Sequence, residues 1–213
     1  MTDISKVQTA SASEVYDQYK VFGSVLAARI LTNCCEAKSE EMDQLIDEQN
    51  EYLSEIEVQL SDITALQEDM NSRVAELEAE ISKLLEKKDA GTITEEEEEE
   101  LASKSAEVKS LTSDTNSQVT SKNSEVKTLM GKSGDCTATI NSAEDYGKTA
   151  IEKGTPLAET KNKRKSFWRK MFGGWDKSKT REAGEELVKV GEELNSKVAN
   201  AKQVVGAIKT KSK

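Results

Sequence analysis

The chain has 213 residues, of which 33% are charged, 35% hydrophobic and 4% aromatic, and its formal net charge is −10. So little apolar and aromatic surface argues against an ordinary globular core and favours long helices that share a narrow apolar seam. Histidine is absent, which excludes a Ser/His/Asp triad, a Cys/His nucleophile pair and a His-ligated metal. The three cysteines, two of them adjacent at Cys34 and Cys35, do not form a disulfide framework. We therefore expect a protein without a cofactor and without enzymatic activity.

The N-terminal region divides into a polar part and an apolar part. Residues 1–14 are small, polar and rich in Ser and Thr, which predicts a disordered segment. They lack the basic start and hydrophobic run of a cleavable secretory signal peptide. Residues 15–35 are the most hydrophobic part of the chain, and their apolar spacing predicts a helix. That helix either packs in a buried position or contacts a membrane or partner, and its apolar run Val21–Leu31 is too short to span a bilayer.

A sustained heptad pattern follows. Its positions advance by four and three residues in strict alternation, and Gln49 and Gln67 are the two polar interruptions. Such a repeat predicts a left-handed coiled coil within a helix of about 36–88. We expect this seam to drive self-association or pairing with another coiled-coil chain. The seam residues are Met42, Ile46, Leu53, Ile56, Leu60, Ile63, Met70, Val74, Leu77, Ile81 and Leu84.

The end of this helix is followed closely by the start of another. Gly91 lies just past the predicted helix end, and Thr94 with Glu97 forms the pattern of a capping box. The second helix, about 95–130, is rich in Ser and Thr, which lowers its helix propensity. Because the connection is so short, residues 36–130 are predicted to fold back as an antiparallel hairpin.

The last third of the chain contains a glycine-spaced pattern that occurs twice. Gly147 and Gly154 in the first copy match Gly184 and Gly191 in the second, each within G-x-x-[AL]-[IV]-x-x-G-x-x-L. Glycines seven residues apart on one helical face allow close backbone approach, at a cost of about 1 kcal/mol each in helix propensity. The pattern indicates either a duplicated helix or a chance match. Pro156 is expected to break the chain between the copies.

Charge is distributed unevenly. Residues 36–100 contain 23 Asp and Glu against 5 Lys and Arg, a net charge of −18, whereas residues 145–213 contain 9 against 17, a net charge of +8. The two regions should attract each other or a neighbouring copy.

Residues 161–175 combine basic and aromatic side chains. Such a composition suits an anionic membrane surface and also single-stranded nucleic acid, but the acidic remainder of the chain disfavours nucleic acid. The alternative is that the aromatic residues form a small core against neighbouring helices. The candidate residues for docking on a membrane or partner are Lys163, Arg164, Lys165, Phe167, Trp168, Arg169, Lys170, Phe172 and Trp175.

The order of these parts resembles that of the secreted filament and needle-extension proteins of bacterial type III secretion systems, the EspA-like family. The likeness covers a Ser/Thr-rich start (Met1–Ser13), a short apolar helix (Val21–Leu31), a heptad helix (Met42–Leu84) and a second polar arm (Leu101–Leu129). The resemblance implies export through the secretion apparatus, a secretion chaperone and helical self-assembly outside the cell. Residues 137–213 depart from the family pattern, which leaves a tip, translocator-like or effector-like role open beside a filament role.

The predicted fold class is all-α, an elongated antiparallel coiled-coil hairpin with a smaller C-terminal helical portion in residues 137–213. The predicted function is that of a secreted, non-enzymatic, self-associating protein of a type III-like system, exported without a cleaved signal peptide. The alternative is a cytoplasmic coiled-coil scaffold or a peripheral membrane adaptor anchored by residues 161–175.

Overall fold

The computed structural model describes residues 10–160 and 177–211, and this part of the chain is helical with no strand, which confirms the predicted all-α class. Two compact units are present: unit 1 consists of Met1–Glu51 and Ser133–Lys213, and unit 2 of Tyr52–Lys132. The described helices are α1 (Ala12–Lys20), α2 (Ser24–Asp89), α3 (Glu95–Gly134), α4 (Thr137–Ala158) and α5 (Lys177–Thr210).

The apolar N-terminal region forms two helices where the sequence predicted one. The chain turns at Gly23, whose φ of 128° is a conformation that side chains other than glycine rarely adopt. The first helix, α1, begins at Ala12, within the segment predicted to be disordered. It is stabilised by a capping box in which the Ser11 N–H donates to Glu14 Oε2 at 2.9 Å and the Glu14 N–H donates to Ser11 Oγ at 3.4 Å.

In unit 2, the connection between α2 and α3 follows the predicted turn chemistry. The Thr92 N–H donates to the Lys87 carbonyl at 2.9 Å, while Gly91, with a φ of 67°, donates to the Lys88 carbonyl at 3.0 Å. These two bonds form a Schellman motif. The capping box of α3 is also present, since the Glu97 N–H donates to Thr94 Oγ1 at 3.3 Å and the Thr94 N–H donates to Glu97 Oε2 at 3.0 Å. The α3 helix then continues to Gly134, four residues past the predicted end.

Ion pairs give the direction of the two helices in unit 2. Residue numbers fall along α2 as they rise along α3, so the helices are antiparallel within this unit. Each such exposed pair contributes roughly 0–1 kcal/mol, and the pairs therefore report geometry more than stability. The pairs are Lys87 with Glu97, Glu80 with Lys104 (2.6 Å), Arg73 with Glu107 (3.2 Å) and Asp62 with Lys122 (2.8 Å).

All eleven predicted seam residues are buried or half-buried. In unit 2, Ile56 and Leu77 are buried on α2, and Val126 and Leu129 are buried on α3. The ion pairs place α2 and α3 side by side there, and these apolar residues are buried within one chain. Met42 and Ile46 belong instead to the core of unit 1. A left-handed supercoil and a seam that pairs separate chains stay predictions.

The Ser and Thr residues of α3 are compatible with a helix because their hydroxyl groups bond locally. Five of them donate to the carbonyl group four residues earlier, a bond that satisfies the hydroxyl inside a helix. They are Ser105, Thr112, Ser117, Thr120 and Thr128, with distances from 2.7 to 3.0 Å.

Unit 1 is held together by one apolar cluster, to which α1, the first part of α2, α4 and α5 contribute. Leu31 from α2, Ile140 from α4 and Leu187 from α5 are buried in it. Alanine is frequent in this cluster, which allows the helices to approach closely.

The glycine pattern forms the contact face between α4 and α5. A Cβ atom on Gly184 would lie 2.7 Å from the carbonyl carbon of Leu157, and one on Gly191 would lie 2.9 Å from the carbonyl oxygen of Gly147. The two backbones therefore touch where the glycines lie. Pro156 lies inside α4, which ends at Ala158, so the chain breaks two residues later than predicted.

Candidate docking site

Hydrogen bonds and electrostatic contacts fix the direction of α1 relative to α4. The Tyr146 hydroxyl donates to the Ala10 carbonyl at 3.0 Å, and Lys153 interacts electrostatically with Tyr16. Residue numbers rise together along both helices, so α1 and α4 are parallel. The C-terminal end of α1 therefore lies beside the C-terminal end of α4.

The other two helices of unit 1 run opposite to α4. Cys35 of α2 donates its thiol proton to the Tyr146 carbonyl at 3.6 Å, whereas Glu48 interacts with Cys136, ten residues before Tyr146. On α5, Gly191 lies against Gly147, while Gly184 lies against the last turn of α4. Both α2 and α5 thus begin at the end of unit 1 where α1 and α4 stop.

We call this region the docking end and define it as residues 20–29, 157–160 and 178–181. It carries three of the five exposed large hydrophobic residues in the described part of the chain: Val21 (79% exposed), Phe22 (73%) and Leu26 (45%). These three exposed apolar residues lie within six consecutive positions of the chain, and clustered exposure of this kind is more informative than single exposed residues. The sequence placed Val21 and Phe22 in a continuous helix and did not predict their position at a corner.

The docking end also carries cationic residues. Lys20, Arg29 and Lys179 are exposed, and Arg181 pairs with Glu185 at 2.7 Å. Glu159 is an acidic residue of the same region, and Glu182 directly follows that region in sequence. The first turns of α2 and α5 contain no acidic residue, so no carboxylate in those turns offsets the positive ends of these helix dipoles.

The predicted docking residues between Lys163 and Trp175 lie outside the described residues. The segment that contains them nevertheless joins Thr160 to Lys177, and both α4 and α5 have their adjoining ends at the docking end. By sequence, residues 161–177 hold seven Lys and Arg against one Asp. The described residues that adjoin the basic aromatic segment in the chain therefore lie at the docking end.

The cysteines do not form a reactive site. Burial raises the pKa of Cys35 to about 12 and also raises the pKa of Cys34 and Cys136. Since the thiolate is the nucleophile, these thiols are weakly reactive near neutral pH. In residues 10–160 and 177–211, no group of three or more potential ligands is placed to hold a metal ion.

Among the described helices, none is both long and apolar enough to cross a membrane. Comparison with known protein families, with curated proteins and with solved structures gives no match to this chain.

Proposed function

We propose that this chain is a non-enzymatic helical scaffold that attaches to an anionic membrane surface through its docking end. One observation carries the proposal: Val21 and Phe22 are exposed at the end of unit 1 where the chain enters and leaves the basic aromatic segment. The two described residues that adjoin this segment in the chain, Thr160 and Lys177, thus lie at the same end of unit 1 as Val21 and Phe22.

Charge and apolar surface act together in this attachment. Each Lys or Arg near an anionic surface adds about 1 kcal/mol to binding, and residues 161–177 hold an excess of six cations, seven against one. Tryptophan favours the headgroup level of a bilayer, because its ring is apolar and its N–H can donate. A single anchor of this kind gives reversible binding, and several together give stable attachment.

Self-assembly through the heptad seam is supported less directly. In unit 2, seam residues such as Ile56 and Leu77 are already buried within one chain, so their burial requires no second chain. A filament, tip or translocator role, secretion and a chaperone stay predictions that rest on the resemblance to the EspA-like family.

The test is flotation of the full-length protein with phosphatidylcholine vesicles, with and without phosphatidylserine, at physiological ionic strength. We expect flotation only with phosphatidylserine and its loss at high salt. Replacing Trp168 and Trp175 by Ala should weaken flotation. A matched charge control is Lys109→Glu with Lys127→Glu, two exposed lysines on α3 that should leave flotation unchanged. No flotation of the wild-type protein, or equal flotation with neutral vesicles, would refute the proposal.

A further inference from the structure

We propose that Val21, Phe22 and Leu26, here called the apolar corner, insert into an anionic bilayer as a second anchor. This inference rests on the proposed function and extends it to residues outside the basic aromatic segment. The corner is made of side chains from the turn that follows α1 and from the first turn of α2. Val21 and Phe22 are largely exposed, and Leu26 is 45% exposed.

Part of the backbone of the corner, in the turn between α1 and α2, is already hydrogen-bonded. The N–H groups of Val21 and Phe22 both donate to the Tyr19 carbonyl, and that of Gly23 donates to the Lys20 carbonyl at 3.0 Å. The Gly23 carbonyl accepts from the Ala27 N–H at 3.1 Å. An unpaired backbone group would cost several kcal/mol in the hydrocarbon region. The turn can therefore enter an apolar medium without leaving these groups unpaired.

The corner is also held in place before it meets any partner. Val15 and Tyr16 anchor α1 in the core of unit 1, and Ala27, Ala28 and Leu31 anchor the first turns of α2. A rigid presentation reduces the conformational entropy lost on binding.

Basic residues border the apolar corner at the positions that suit lipid headgroups. Arg29 follows Leu26 by three residues, so the two lie on one face of α2. Lys20 precedes Val21 and lies 6.0 Å from the ring centre of Tyr16. Both side chains are exposed, and long basic side chains can reach phosphate groups while their methylene groups contact apolar surface. The acidic residue one turn earlier, Asp17, interacts electrostatically with Lys153.

An anionic lipid surface is favoured as the occupant for two reasons. The first is that the cations Lys20 and Arg29 flank the corner in sequence. The second is that the described chain stops at Thr160 and resumes at Lys177 at this same end, and the sequence between them is strongly basic and contains two tryptophans. The alternative occupants are the chain's own basic aromatic segment, a second copy and a partner protein, and the experiment separates them from a membrane.

The experiment places a fluorescent reporter at the corner. Phe22→Trp is made in a background with Trp168→Phe and Trp175→Phe, which keeps aromatic residues in the segment and leaves one tryptophan. We expect water-exposed emission without vesicles, a blue shift with phosphatidylserine vesicles, and quenching by lipids brominated on their acyl chains. The control is Val58→Trp in the same background, since Val58 is 55% exposed but belongs to unit 2. It should show neither effect.

Each outcome has a defined meaning. Binding to vesicles with unchanged emission at position 22 would overturn the apolar corner as an anchor and leave the proposed function intact. Emission already blue-shifted without vesicles would show that protein covers the corner, and would also overturn the inference. Failure of the wild-type protein to float would refute both proposals.

A second variant measures how much the corner contributes. Val21→Ser with Phe22→Ser should lower the vesicle partition coefficient by about tenfold or more, as expected when two apolar side chains no longer leave water. Val58→Ser should not change it. Because these side chains are exposed, circular dichroism should show unchanged helicity. An unchanged partition coefficient would contradict the inference.

Discussion

The contact between α4 and α5 predicts opposite effects for the same substitution at two glycines of one helix. Gly184 and Gly206 both lie within α5. A Cβ atom on Gly184 would approach the Ala158 nitrogen and lie 2.7 Å from both the carbonyl carbon and Cβ of Leu157. At Gly206, no atom lies within 4 Å of an added Cβ.

The size of the change in the free energy of unfolding depends on helix propensity and on steric overlap. Replacing Gly by Ala inside a helix gains up to about 1 kcal/mol in helix propensity. At Gly184 the added methyl group meets mainly backbone, which cannot rotate away, so α4 and α5 must separate, and overpacking of this kind costs about 1–3 kcal/mol. When the full propensity gain is subtracted from the overpacking cost, we expect Gly184→Ala to lower the free energy of unfolding by up to about 2 kcal/mol. Gly206→Ala should raise it by up to about 1 kcal/mol.

The assay is urea unfolding followed by circular dichroism at equal protein concentration, with hydrogen exchange of α4 and α5 as a local readout. Opposite shifts of the two variants would support the close contact. If Gly184→Ala stabilised the protein as much as Gly206→Ala, the backbone contact between these helices would not exist in solution.

Three further predictions concern the seam, a thiol and an ion pair. Ile56→Ala should lower the free energy of unfolding by about 2–5 kcal/mol because Ile56 is fully buried. Exposed Val58→Ala should change it by less than about 0.5 kcal/mol. Iodoacetamide should alkylate Cys35 far more slowly in the native protein than in urea at neutral pH, because burial raises its pKa to about 12; equal rates would contradict its burial. The pKa of Glu144 is lowered from 4.5 to about 2 by Lys148 and Lys202, so the stability that it contributes is present above pH 4.5 and lost as the pH falls toward 2. Glu144→Gln should therefore destabilise the protein at neutral pH and have little effect near pH 2, and a difference independent of pH would refute this assignment.

Local chemistry made part of this structure predictable. The turn around Gly91 and the capping box of Thr94 and Glu97 depend on a few neighbouring residues, and the heptad pattern depends on one helix, so each could be identified from spacing alone. The Ser- and Thr-rich α3 helix was also predicted. The low helix propensity of these residues did not indicate that their hydroxyl groups donate to carbonyl groups within the helix.

Features that depend on tertiary packing were not predictable. The turn at Gly23 interrupts an apolar run whose spacing is otherwise helical, and only the packing of α1 against α4 shows that two helices are formed. A heptad pattern predicts that another helix packs against its apolar stripe. It does not indicate whether that helix is α3 of the same chain or belongs to a second chain. Identifying the docking end requires knowledge of the directions of four helices, and no local sequence pattern gives these directions. The sequence alone therefore could not show that Val21 and Phe22 lie at the end of unit 1 that adjoins residues 161–175.

The most direct test of the central claim is hydrogen–deuterium exchange of the full-length protein with and without phosphatidylserine vesicles. We expect vesicle-dependent protection in peptides that cover residues 20–29, 157–160 and 178–181, and unchanged exchange in unit 2. Protection confined to Tyr52–Lys132, or no protection under conditions where the protein floats with the vesicles, would contradict attachment through the docking end.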